Sequence, residues 1–147
     1  MSKKNSAKKI LLCLLTIFAF FYFECVYAEE IIFIVNKSVS INKISEDDLM
    51  KIYTCKKQKW DDGQEIKLVV TSKAKYHETF TKRYSRKTPE QFLRYWRTML
   101  FAGKAMNPKD CATAVEMIEY VSTQNGAIGY LSSDVELNAN VNILSVE

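Results

Sequence analysis

Few residues in this chain have the chemistry for catalysis, and their spacing works against it. His77 is the single histidine among 147 residues. No serine and aspartate surround it in a triad arrangement, and no second imidazole or acid stands at a metal-ligand spacing. A thiol nucleophile would need His77 beside Cys55 or Cys111, and those two cysteines are better read as partners for each other. The chain therefore reads as a non-enzyme with no metal and no cofactor.

What the sequence does offer is a set of hydrogen-bond donors beside strand ends. Asn36 and Ser38 follow the apolar run Ile31 to Val35, and Thr71 and Ser72 follow a second run, Ile66 to Val70. Lys73 and Lys75 add positive charge at the second position. Hydroxyls and backbone N–H groups at a helix start form a ready anion site, so these six residues are the candidate ligands for a small oxyanion. Their other reading, as ordinary caps and turn formers, stands beside it.

The elements that must position them follow from periodicity. Ile31 to Val35 lacks alternation, the pattern of a strand covered on both faces. Ser45, followed three residues on by Asp48, caps a helix that runs to about Thr54, and Ile44 can staple onto Leu49. Asp62-Gly63 turns the chain into the strand Ile66 to Val70. A helix over about Ala74 to Tyr84 places Tyr76, Phe80 and Tyr84 on one face. The cations Lys82, Arg83, Arg86 and Lys87 then complement its negative end. Thr88, Pro89 and Gln91 open the clearest helix, with Phe92, Tyr95, Trp96, Met99 and Leu100 as a core stripe. After Asn107-Pro108 a further helix turns Ala112, Val115, Ile118 and Val121 inward and stops at Gly126, which suits a left-handed backbone. Ala127 to Leu131 is a buried strand in which Gly129 signals close approach of a backbone or ligand. Val141 to Val146 is the last strand. The order β-α-β-α-α-α-β-β predicts one α/β domain, a mostly parallel or mixed four-stranded sheet with helices packed on it.

The N-terminus carries an address. Lys3, Lys4, Lys8 and Lys9 precede the apolar run Ile10 to Phe23, and Val26-Tyr27-Ala28 suits signal peptidase. Residues 1–28 are read as a signal peptide and 29–147 as the domain, which places the protein in the periplasm or secretes it. The apolar run is shorter than the roughly 20 residues of a membrane span, although a retained anchor is the alternative. Without the leader's four lysines and one glutamate, 17 basic and 16 acidic residues remain. A net charge of +1 excludes the basic face that nucleic-acid binding requires. Cys55 and Cys111, an even pair in an oxidising compartment, are expected to form a disulfide.

Three separated stretches resemble one family. Ile52-Tyr53-Thr54-Cys55-Lys56 through Trp60 and Gly63 to Ile66, then Trp96 through Phe101, Gly103 and Pro108, and finally Gly126-Ala127-Ile128-Gly129-Tyr130, are similar to segments of phosphate-binding components of bacterial importers, the type 2 periplasmic binding proteins. Cys55 stands where that family has glycine, and Asn125 where proline is usual. The resemblance implies a single lobe of a fold that has two in full-length members. It implies a solute-binding-like domain that engages phosphate or a similar small oxyanion weakly. The alternative is an envelope protein-interaction or sensory module that reuses the fold without a solute. Its contact surface would be an open sheet face or the Lys56–Trp60 loop.

Overall fold

Every residue of Ala127–Ser132 is buried, and the reason lies in what covers the two faces of that strand. A computed structural model describes residues 30–147. The leader expected over residues 1–28, with its cleavage site, Cys13 and Cys25, lies outside the described residues. The elements are β1 (Ile31–Asn36), β2 (Lys43–Ile44), α1 (Glu46–Tyr53), β3 (Lys67–Val70), α2 (Tyr76–Phe80), α3 (Pro89–Phe101), β4 (Lys109–Asp110), α4 (Ala114–Thr123), β5 (Ala127–Ser132) and β6 (Val141–Val146). A π-helical turn, Thr81–Ser85, continues α2.

The six strands form one mixed sheet in the order β2-β6-β1-β5-β3-β4. β1 runs antiparallel to both β5 and β6, while β3 runs parallel to β5 and β4. The four anticipated strands are all present. The two-residue strands β2 and β4 raise the count to six, since segments that short carry no periodicity. Side chains alternate across a strand, so Gly129 and Tyr130 face opposite ways. Tyr130 stacks on Phe80 with ring centroids 3.7 Å apart and meets Tyr53 at 5.9 Å, which puts α1 and α2 on its face. A Cβ on Gly129 would lie 2.8 Å from Met117 Sδ, which puts α4 on the other. The close neighbour at Gly129 is thus a helix side chain, not a ligand or a backbone. Helices thus cover both faces of β5, whereas on β6 Asn142, Ile143 and Ser145 remain exposed.

Local signals explain most of the helix ends. Thr88 Oγ1 accepts from Gln91 N–H at 3.3 Å while Gln91 Oε1 accepts from Thr88 N–H at 3.0 Å, a complete capping box. Ser45 Oγ accepts from Asp48 N–H at 3.1 Å. Gly126 ends the turn after α4 at φ +76°, and a side chain there would meet the Glu65 carbonyl oxygen at 2.1 Å. The inward face of α4 differs from the anticipated one. Thr113 caps the helix through Glu116 N–H, so Ala112 lies before it and Val115 falls on the solvent side, 74% exposed. Met117, Ile118 and Val121 are the buried residues. The cations after α2 are used locally: Lys82 pairs with Glu78 at 2.6 Å, while Arg83 lies over Tyr84 and Lys87 over Tyr95.

The expected disulfide is not formed. Cys55 and Cys111 are both buried and both free. Each is anchored on a different element by its own backbone hydrogen bond, Cys55 to Ile52 at 3.1 Å and Cys111 to Val70 at 2.9 Å. Burial pushes the Cys55 thiol up to about 12 and the Cys111 thiol to about 11, so both stay protonated. Cys55 adopts φ +61° just past α1, the left-handed conformation that glycine takes without strain. The Lys56–Trp60 loop is no docking surface through its aromatic residue either. Trp60 is buried, and its indole N–H donates to the Gly126 carbonyl at 3.0 Å.

Candidate functional site

The chain leaves β3 at Val70 and turns toward α2 through residues 71–75, and here four of the six candidate ligands lie together. Thr71 is fully buried; its N–H donates to the Tyr130 hydroxyl at 3.3 Å, and its own Oγ1 has no partner among the described residues. Ser72 is exposed and holds a carboxylate with two donors. Its N–H donates to Asp110 Oδ1 at 3.0 Å and its hydroxyl to Asp110 Oδ2 at 2.6 Å. The parallel register that pairs Val70 with Asp110 sets this contact, because it brings β4 alongside just where β3 ends. Lys73 and Lys75 are exposed beside it, and neither forms an ion pair among the described residues.

Asn36 and Ser38 are not part of this group. β1 runs antiparallel to β5, so its end lies beside Ala127 and Lys67, at the start of β3. Ser72 is five residues further along, about 16 Å at the rise of a strand. Both side chains are already engaged there. Asn36 Nδ2 donates to the carbonyls of Val121 and Ser122 at 2.7 and 3.0 Å, and its Oδ1 accepts from Ser38 N–H at 2.9 Å. Ser38 Oγ accepts from Gly126 N–H at 3.0 Å. Together they fasten the turn between α4 and β5.

Beyond Ser72 lies a cavity of about 640 Å³, within the usual size range for small-molecule sites. Val70, Phe92, Leu93 and Trp96 supply apolar wall, and Ser72, His77, Arg97 and Asp110 supply polar groups. His77 is buried, with Nδ1 2.6 Å from the Tyr130 hydroxyl. That hydroxyl accepts from Thr71 N–H, and in the tautomer where it donates its own proton to Nδ1 the ring proton of His77 sits on Nε2. Burial holds the His77 pKa below its ordinary value, so the ring is neutral at neutral pH. Burial also raises the Tyr130 pKa, keeping the hydroxyl protonated. Among the described residues no cluster of His, Cys, Asp and Glu could hold a metal ion.

Sequence reasoning missed Asp110 and the place of His77. Lys109-Asp110 is too short for a strand signal, and the identity of its neighbour across the sheet is a long-range fact. The one usable hint was the extended bias around Asn107-Pro108 just before it.

The family model of the PBP superfamily domain matches residues 22–145. The chain belongs to that family. Among solved structures, the PBP lobe is similar to PstS from Borrelia burgdorferi, with a TM-score of 0.63 and 23% identity over 80% of this chain and 47% of that one. It is also similar to an ABC-type phosphate transport receptor from Vibrio cholerae, with a TM-score of 0.52 and 12% identity over 79% of this chain and 45% of that one. The chain thus spans less than half the length of the solved proteins it matches. At these identities the likeness is one of fold, the PBP-like α/β lobe anticipated from the sequence. Among curated proteins, none matches. Among the described residues, no helix is long and apolar enough to cross a membrane.

Proposed function

We propose that this PBP lobe is an exported, solute-binding-like domain, periplasmic or secreted, that engages phosphate or a similar small oxyanion weakly at Ser72, with Lys73 and Lys75 beside it. One observation carries the reading: Ser72 already holds both oxygens of a carboxylate, through N–H and hydroxyl. Two donors spaced for two oxygens of one anion suit phosphate as well as carboxylate. The phosphate transport proteins of similar fold support the choice of solute class. Affinity is weak because Asp110 competes for the same donors and a single lobe leaves one side of the anion in water. A dissociation constant near 1 mM corresponds to about 4 kcal/mol.

NMR shift mapping with phosphate, sulfate and a neutral control tests this. Saturable phosphate shifts centred on the Ser72 amide, lost when Ser72 and Lys73 are both changed to Ala, are the expected result. Shifts confined to surface lysines, equal for every anion and unaffected by the double change, would count against it. The second reading, an envelope interaction or sensory module without a solute, is favoured by the same contact seen from the other side: Asp110 already fills the hydroxyl-plus-amide pair of Ser72.

A further inference from the structure

We infer that the cavity beside Ser72 is a binding site for a small organic carboxylate with an apolar body, its head on Arg97 and His77 and its body against Phe92 and Trp96. This goes beyond the oxyanion reading and does not depend on the Ser72 turn binding phosphate.

The argument is one of unmet partners around an apolar wall. Four charged side chains line the cavity, and three are engaged: Lys109 with Glu116 at 2.9 Å, Asp110 with Ser72, and Glu90 with Thr88 and backbone at the start of α3. Arg97 is exposed and has no partner among the described residues. Its guanidinium is a natural bidentate partner for a carboxylate. His77 Nε2 has no partner on the protein among the described residues, and with Nδ1 accepting from Tyr130 it carries the ring proton. Trp96, 4% exposed, lines the same cavity, and its indole N–H has no acceptor among the described residues. A buried donor left without an acceptor, as the Trp96 indole N–H is among the described residues, is costly, and an acceptor oxygen of a ligand would satisfy it. All three groups are donors, so the head they select accepts hydrogen bonds and carries negative charge. Phe92 and Leu93, the latter half exposed, give an apolar body somewhere to leave water.

The test is a titration of the full chain by NMR with phenylacetate as probe, benzyl alcohol as the same body without charge, and phosphate as charge without body. Phenylacetate should move the Trp96 indole and His77 ring signals saturably, while the Trp60 indole, committed to Gly126, stays still. Benzyl alcohol should bind at least fivefold more weakly, and Arg97→Ala should weaken phenylacetate about tenfold. His77→Phe should do the same. Arg97 is a surface residue, so its variant remains informative if the histidine variant does not fold. No saturable shift at Trp96, equal binding of benzyl alcohol, or an unchanged affinity in Arg97→Ala would overturn the assignment. Phosphate shifts at the Ser72 amide bear only on the oxyanion reading, so the two fail separately.

Discussion

Asp110 Oδ1 and Oδ2 accept from the N–H and the hydroxyl of Ser72 at 3.0 and 2.6 Å, so the donors at the end of β3 meet an anion supplied by β4. On the proposed reading, this contact is what would keep the binding of a free anion at the turn weak. Any solute oxyanion must displace a carboxylate tethered by the sheet.

Gly126 and Gly129 should respond differently to alanine. At Gly126 the new Cβ would meet a backbone oxygen at 2.1 Å in a left-handed conformation, and neither can yield cheaply. Gly126→Ala should cost about 3 kcal/mol or more, at the high end for point substitutions. At Gly129 the nearest atoms are Met117 Sδ and Cγ at 2.8 and 3.0 Å, the end of a flexible side chain. Gly129→Ala should cost nearer 1 kcal/mol. Urea denaturation of both variants checks the order.

Stability should fall as pH drops below neutral because of His77. Its folded pKa lies below 6.5, chiefly through burial, with Asp110 opposing. The unfolded chain therefore binds the proton first. The contribution is fully present above pH 6.5 and is lost as pH falls from there toward the folded pKa, with a slope of at most about 1.4 kcal/mol per pH unit. His77→Gln should flatten this part of the profile. Denaturation midpoints between pH 5.5 and 7.5 are the measurement, and equal slopes would contradict the assignment.

Cys55 and Cys111 should label slowly in the folded protein at pH 8 and fully on unfolding without reductant. Both thiols are buried, with pKa values raised to about 12 and 11. Peptide mapping after alkylation distinguishes the two states, and a peptide joining Cys55 to Cys111 would show that the bridge forms after all.

Much of this architecture could be read locally. Thr88 and Gln91, Ser45 and Asp48, and the glycine at 126 set element ends through contacts within a few residues, and those ends are where the sequence placed them. The central strands were legible because burial on both faces makes their composition uniformly apolar. Long-range facts were not legible. The antiparallel course of β1 separates Asn36 and Ser38 from Ser72, although all three looked alike as polar residues following strands. Val115 was misplaced because the helix was expected to follow Asn107-Pro108, whereas Thr113 opens α4 and Met117 joins Ile118 and Val121 in the core. Asp110 was out of reach because its role exists only once β3 and β4 pair.

The central claim is that Ser72 presents an oxyanion site held by an internal carboxylate, and phosphate affinity in Asp110→Asn tests it most directly. Titration of the Ser72 amide by NMR in wild type, Asp110→Asn and Asp110→Asn/Ser72→Ala separates competition from a general change in charge. The account predicts that Asp110→Asn binds phosphate about tenfold more tightly, roughly 1.4 kcal/mol, and that adding Ser72→Ala removes the gain. An unchanged affinity in Asp110→Asn, or a gain that survives the loss of the Ser72 hydroxyl, would contradict it.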